Sequence, residues 1–238
     1  MRLSRTLALG RRQTVSVETG EVLRRDHIID ILARNGYEAL VYGLTNRRDV
    51  GDPVHMNDAQ PVLAERAGIA KRGDIAISLR NISTVFLYRP STGEIVWLRT
   101  GPWISQHDVD VLADGRLHVH SNNSFPKASK RLRPFSDVYV IDPQTDEIER
   151  PYHDVLTDVE AFNLAEGLSR ILPNEDLFFE QTNSGWIFRA AKDRLRWEFV
   201  NQTRPDFVGR VNWSRYFAPD EISLDWLNTN EGEENERN

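Results

Sequence analysis

The sequence contains no cysteine, and only two of its 238 residues are methionine. Without thiols there is no disulfide framework, no thiolate metal centre and no cysteine nucleophile. Long apolar runs are also missing. No window approaches the roughly eighteen residues of a membrane span, so membrane insertion is not expected. The apolar stretch from Leu7 to Leu9 is too short for the core of a signal peptide, so no export signal is read in the chain. Positive charge is scarce: 30 Lys and Arg stand against 36 Asp and Glu, for a net charge of −6. That balance argues against nucleic acid as a partner, because phosphate contacts need a basic face. No G-x-S-x-G, P-loop or Rossmann fingerprint is present.

What remains is a chain with 39% hydrophobic and 28% charged residues, enough apolar matter to bury a core. Its organisation is repetitive. Residues 84–100, 137–150 and 186–200 each read as a β-rich run, a polar turn and a second alternating run, which is a hairpin. Trp97 and Trp197 occupy matching places in the closing strands, and VETGEVLRR at 17–25 is an incomplete fourth copy. Upstream of each full hairpin lies a second strand (74–80, 116–122 and 176–182), and before that a first strand (55–63, 107–112 and 166–172). The unit is four antiparallel strands. Its starts at 55, 107 and 166 are 52 and 59 residues apart (107 − 55 and 166 − 107), a little longer than the ~40–50 residues of propeller blades.

The expected fold is therefore all-β: a single propeller domain over 1–225 with about four blades visible and an incomplete ring. VGRVNWSRYF (208–217) is read as the first strand of a further blade. Residues 26–43 carry apolar side chains at helical spacing after Asp26, and predict a short inserted helix with Asp26 as its N-cap. Residues 226–238 form an acidic tail with almost no apolar residue, which predicts disorder.

In a propeller the first strand of each blade lines the central channel and the second runs antiparallel beside it. The start of the first and the end of the second then share one mouth. This brings His55, Asn57, Arg80, Asn81, His107, Asn122, Asn123, Glu166, Thr182 and Asn183 to one rim. His55-x-x-Asp58 and His107-x-x-Asp110 are read as equivalent in successive blades, which would make the two imidazoles neighbours. Taken singly, a His at a strand start is a hydrogen-bonded structural residue and an Arg a surface ion pair. Taken together, two imidazoles, a guanidinium and several amides suit a small tetrahedral anion. The loop 123–136 carries Lys127, Lys130, Arg131 and Arg133 and is expected either to overhang that mouth as a basic collar or to be a solvated loop. His118-x-His120 places two imidazoles on one strand face, but no carboxylate stands at convincing spacing, so no metal is expected. His27 and His153 are read as ordinary polar residues.

The same residues resemble the arylsulfotransferase family, bacterial propeller enzymes that move a sulfuryl group between phenols without a nucleotide donor. The matching pieces are DPVHMND (52–58), GDIAISLRN (73–81), TGEIVW (92–97), SQHDVDVLADGRL (105–117) and SNNS (121–124), in order and at family-like spacing. The resemblance is best over 50–125 and fainter through 166–185. It implies that His107 matches a histidine that becomes a transient sulfohistidine and His55 a second active-site histidine near the phenolic oxygen. Asn57 and Arg80 match groups that hold the sulfate oxygens, and Asp108 or Asp110 would orient the His107 ring. Asn81, Asn122, Asn123 and Thr182 join Asn57 as candidate substrate-binding residues. A further active-site histidine of the family, from an earlier blade, has no match here; because the repeats open in mid-blade, the chain is expected to be a C-terminal portion or a short member.

The implied activity is ping-pong transfer from a small-molecule aryl sulfate to a phenol, with no dissociable cofactor. The alternative is a non-catalytic propeller that binds an anionic ligand or a protein partner at the same mouth. A metal-dependent hydrolase would rest on the histidine count alone. A homo-oligomer is compatible with the sequence, and localisation is not encoded in it.

Overall fold

The computed structural model describes residues 10–43, 52–125, 129–218 and 221–222. The opening segment 1–9, Lys127 and the acidic tail lie outside the described residues. The chain begins with a hairpin of β1 (Arg11–Val15) and β2 (Val22–His27), followed by α1 (Ile28–Arg34) and α2 (Glu38–Tyr42). Three four-stranded antiparallel sheets follow. The first holds β3 (Met56–Pro61), β4 (Ile75–Leu79), β5 (Thr84–Arg89) and β6 (Glu94–Thr100) in sequential order. The second holds β7 (Gln106–Val111) and β8 (Leu117–Ser121). A small hairpin of β9 (Ser124–Phe125) and β10 (Lys130–Arg131) is inserted before its outer strands, β11 (Asp137–Ile141) and β12 (Ile148–Glu149). After α3 (His153–Asp158), the third comprises β13 (Leu168–Ile171), β14 (Leu177–Gln181), β15 (Trp186–Ala190) and β16 (Leu195–Val200). A short hairpin of β17 (Gln202–Arg204) and β18 (Phe207–Val208) closes the ordered sequence of strands.

The fold is all-β and propeller-like, with three complete blades and a ring that the described residues do not close. The strand patterns explain why. β4, β8 and β11 are buried on both faces, as sheet-centre strands sandwiched between blades must be; β4 and β11 are mostly apolar, whereas β8 (LHVHS) buries two histidines. β3 and β7 read MNDAQP and QHDVDV and stay half-exposed for much of their length, because they face a cavity. The outer strand β16 is mostly exposed. Packing between blades makes the core: Val85, Leu87, Trp103, Val109, Val119 and Tyr139 form one cluster between the first two blades. Val138, Leu156, Phe179 and Phe188 belong to another, between the second and third. Each such side chain contributes about 1.5–3 kcal/mol relative to exposure.

Several expectations are corrected. The helical segment is two short helices, and the N-cap of α1 is His27, without a side-chain capping bond. Asp26 is instead a buried β2 residue ion-paired with Arg24 at 2.8 Å. Both helices pack on the first blade through Ile28, Ile31, Leu32 and Val41, so their apolar stripe is used as the pattern indicates. VGRVNWSRYF is not a strand beyond Val208. The helix α3 was not foreseen, since six residues are too few for a clear period.

Candidate functional site

The two ends that the blade topology should join do meet. The backbone N–H of Arg80 donates to His55 O at 3.0 Å and that of Asn81 to Val54 O at 3.1 Å, tying the end of β4 to the start of β3. In the second blade Asn123 N donates to Ile104 O at 3.0 Å. At this end a cavity of ≈ 830 Å³ is lined by His55, Asn57, Arg80 and His107.

The ladders revise how the blades correspond. In β3–β4 Met56 pairs with Leu79 and Asp58 with Ser78, leaving Asn57 as a bulge. In β7–β8 Gln106 pairs with Ser121 and Asp108 with His120, leaving His107 as the bulge. His107 therefore corresponds to Asn57, and Asp108 to Asp58. His55 corresponds to Ser105, each with positive φ (50° and 51°) immediately before its strand. The two imidazoles share the cavity from successive but different levels. A bulge re-aims its extra residue, and here both bulged residues are turned to the cavity wall.

His55 is held at both ends by one carboxylate. Its backbone N–H donates to Asp52 Oδ1 at 2.9 Å, and its Nδ1 lies 2.7 Å from Asp52 Oδ2. Nε2 is the ring nitrogen left for other partners. Asn81 stands outside the cavity lining but braces it: Nδ2 donates to Asp52 O at 2.7 Å, and Oδ1 accepts from Arg80 Nη2 at 3.3 Å. Asn57 Nδ2 donates to Gln106 O at 2.7 Å, while its Oδ1 is buried without a partner. Burial, with smaller contributions from Arg80 and His55, pulls the His107 imidazolium down to about 4. Burial also lowers Arg80, with Asp52 opposing.

Neither carboxylate on β7 bonds to the His107 ring among the described residues. Asp108 Oδ2 accepts the Ser169 amide at 3.0 Å, and Asp110 Oδ2 lies 3.6 Å from His118 Nδ1. Burial raises Asp108 well above the usual carboxylate range, with Asp110 and Asp58 adding to it. Asp58 is raised to about 6, again chiefly by burial.

Asn122, Asn123 and Thr182 do not line the cavity. Asn122 is fully buried beside His120. Asn123 donates through Nδ2 to Phe135 O at 2.7 Å and accepts from Ser121 Oγ. Thr182 accepts the Gly167 amide at 3.0 Å and donates to Glu180. Asn123 and Thr182 hold the rim together, as polar residues at strand ends do when backbone groups there need partners, whereas both amide atoms of Asn122 are buried without one. The basic loop is also turned aside where it is described. Arg131 stacks 3.9 Å from the Phe162 ring centroid and Arg133 donates to Tyr139 OH.

The cavity takes its other cations from Arg66, Arg170 and Arg215. Arg215 belongs to the segment 212–216, which also brings Trp213 and Tyr216 to the lining. That segment is fixed by Ser214 N donating to Glu180 Oε2 at 2.6 Å and by Arg170 donating to Tyr216 O at 3.2 Å. Its only sequence signal is the cation between two aromatics in WSRY, which strand reading obscured.

The arrangement offers a half-buried neutral imidazole, a second imidazole oriented by a carboxylate, and guanidinium and amide donors. Such a set can bind a tetrahedral anion and transfer a group from it. The family model described as Arylsulfotransferase (ASST) matches residues 10–202. No curated protein matches the chain.

Proposed function

This chain belongs to the arylsulfotransferase (ASST) family, and from that premise we propose that it transfers a sulfuryl group from a phenolic sulfate ester to a phenol through His107. The observation that carries the reading is the convergence of His107, His55, Arg80 and Asn57 on one cavity within the matched region.

A neutral imidazole nitrogen of His107 attacks sulfur, forming an N–S bond as the S–O bond to the aryl group breaks. The electron pair leaves with the phenolate oxygen, which takes a proton from His55. In the second half, the acceptor phenol gives its proton to His55 and its oxygen attacks sulfur, breaking the N–S bond and restoring His107. Sulfuryl transfer resembles phosphoryl transfer in placing charge on the peripheral oxygens, so positioning and donors supply most of the catalysis. Arg80 offers a planar fork to those oxygens, and Asn57 adds its amide. Trp213 and Tyr216 supply aromatic faces for the phenol rings.

The test is incubation of the purified chain with 4-nitrophenyl sulfate and an acceptor phenol. Acceptor-dependent nitrophenolate release that His107→Asn abolishes is the expected result, with sulfate recovered on His107 by mass spectrometry of the acid-labile adduct. Turnover that survives His107→Asn would overturn the nucleophile assignment. A second reading, anion binding without turnover, is favoured by the cavity lining holding two histidines, His55 and His107, among the described residues. Saturable binding of the ester by the folded chain without any release would establish it.

A further inference from the structure

The cavity wall carries a second cluster that sulfuryl transfer leaves unused. Asp108 and Asp110 are alternate residues of β7 and project from one face. Asp110 is paired across the ladder with His118 of β8. One ligand atom from each of Asp108, Asp110 and His118 lies within 4.8 Å of the other two. Asp58, on the neighbouring strand, is close enough to act electrostatically on both Asp110 and His118.

His118 is the informative member. It is fully buried, and its Nε2 lies 2.9 Å from Ser169 Oγ. Its Nδ1 has no hydrogen-bond partner and faces Asp110 Oδ2 at 3.6 Å. That separation is too long for a hydrogen bond, yet it suits two donor atoms that share a partner between them. A buried ring nitrogen without a partner needs an explanation. Nearby carboxylates of like charge need one as well.

We propose that Asp108, Asp110 and His118 Nδ1 form a binding site for a first-row divalent cation. The mixed set of two carboxylates and an imidazole fits Mn2+ or Zn2+, whereas Ca2+ and Mg2+ favour oxygen alone. Asp108 commits Oδ2 to the Ser169 amide, and its other oxygen is the donor available to the ion. Ser169 supplies the outer partner that a ligating histidine requires, because its hydroxyl can accept from His118 Nε2–H and so leave Nδ1 bare. The hydroxyl also contacts His120 Nδ1 at 3.1 Å, and the opposite proton order along this chain would put a proton on His118 Nδ1. Cation binding selects the first order. The proposal does not depend on sulfuryl transfer.

The experiment uses the full chain, stripped with a chelator, dialysed, and titrated calorimetrically with MnCl2 and ZnCl2, with Mn2+ also followed by electron paramagnetic resonance. One ion per chain is expected, with affinity reduced at least tenfold in Asp110→Asn and unchanged in Asp114→Asn, an exposed control on the following turn. The ion should also raise the unfolding midpoint of wild type and not of Asp110→Asn. Asp110 is part-exposed, so this variant keeps the test valid even if His118→Ala fails to fold. No stoichiometric binding, or equal binding by Asp110→Asn and wild type, would overturn the site and leave the cluster holding a proton only.

Discussion

Asp58 on β3 accepts the backbone N–H of Val109 on β7 through Oδ2, at 2.9 Å. One blade later Asp108 repeats the contact with Ser169 on β13, at 3.0 Å. The two aspartates are equivalent in register, each directly following its bulge, so the same carboxylate latches each blade to the next.

The latch makes a stability prediction. Val109 is fully buried, so Asp58→Ala leaves its amide without an acceptor and should cost about 1–3 kcal/mol. Asp58→Asn retains an acceptor oxygen and should recover most of that loss. Urea unfolding reads both. An alanine variant within about 0.5 kcal/mol of wild type, the range of an uninvolved surface site, would show the contact to be energetically idle.

Gly167 permits a second close approach. Its φ is +83°, and a Cβ there would lie 2.3 Å from Asn163 Nδ2 and 3.0 Å from His120 Nε2. Gly167→Ala therefore combines backbone strain with a clash against two buried side chains. A loss of about 2 kcal/mol or more is expected, seen as a lower thermal midpoint. An unchanged midpoint would mean that the third blade's first strand can shift without cost.

Much of this was legible because it repeats. The hairpins at 84–100, 137–150 and 186–200 are the pairs β5–β6, β11–β12 and β15–β16, and Trp97 and Trp197 do sit in corresponding rungs. His55, Arg80 and His107 reach one cavity because blade topology fixes where strands begin and end. The bulges at Asn57 and His107 were not legible. An extra residue leaves no mark in an alternating pattern, and it shifts His107 into correspondence with Asn57 instead of His55. Arg66, Arg170 and Arg215 were missed because the cavity gathers them from three separate parts of the chain. His118 and Asp110 are both visible in the sequence, but their pairing is not, because it exists only across the β7–β8 ladder.

Asp52 is a positioning residue in the proposed chemistry, acting through His55. Asp52→Asn keeps an acceptor for the His55 amide but removes the negative charge that fixes Nδ1. Turnover should fall by about 10²-fold, the lower range for losing effective general acid–base assistance, with little change in KM. Leaving-group dependence separates this from a structural defect. If His55 protonates the departing oxygen, the variant should lose more activity toward phenyl sulfate than toward 4-nitrophenyl sulfate, whose phenolate needs less help. Equal losses on both esters would assign Asp52 to structure alone.

Arg80 tests whether geometry or charge holds the sulfuryl oxygens. Its guanidinium is part-buried at the cavity wall and is steadied by Asn81 Oδ1, 3.3 Å from Nη2 and 3.4 Å from Nε. Lysine preserves the charge but replaces a planar fork of donors with a single compact ammonium. Arg80→Lys should therefore lower kcat by about 10²–10³-fold, as the loss of a preorganised donor does, and Arg80→Met by more. Because charge on the peripheral oxygens grows toward the transition state, the loss should fall on kcat more than on KM. A lysine variant with wild-type kcat would show that Arg80 supplies only a field. An effect confined to KM would place it in ester binding and leave transition-state stabilisation to Asn57 and the other cavity donors.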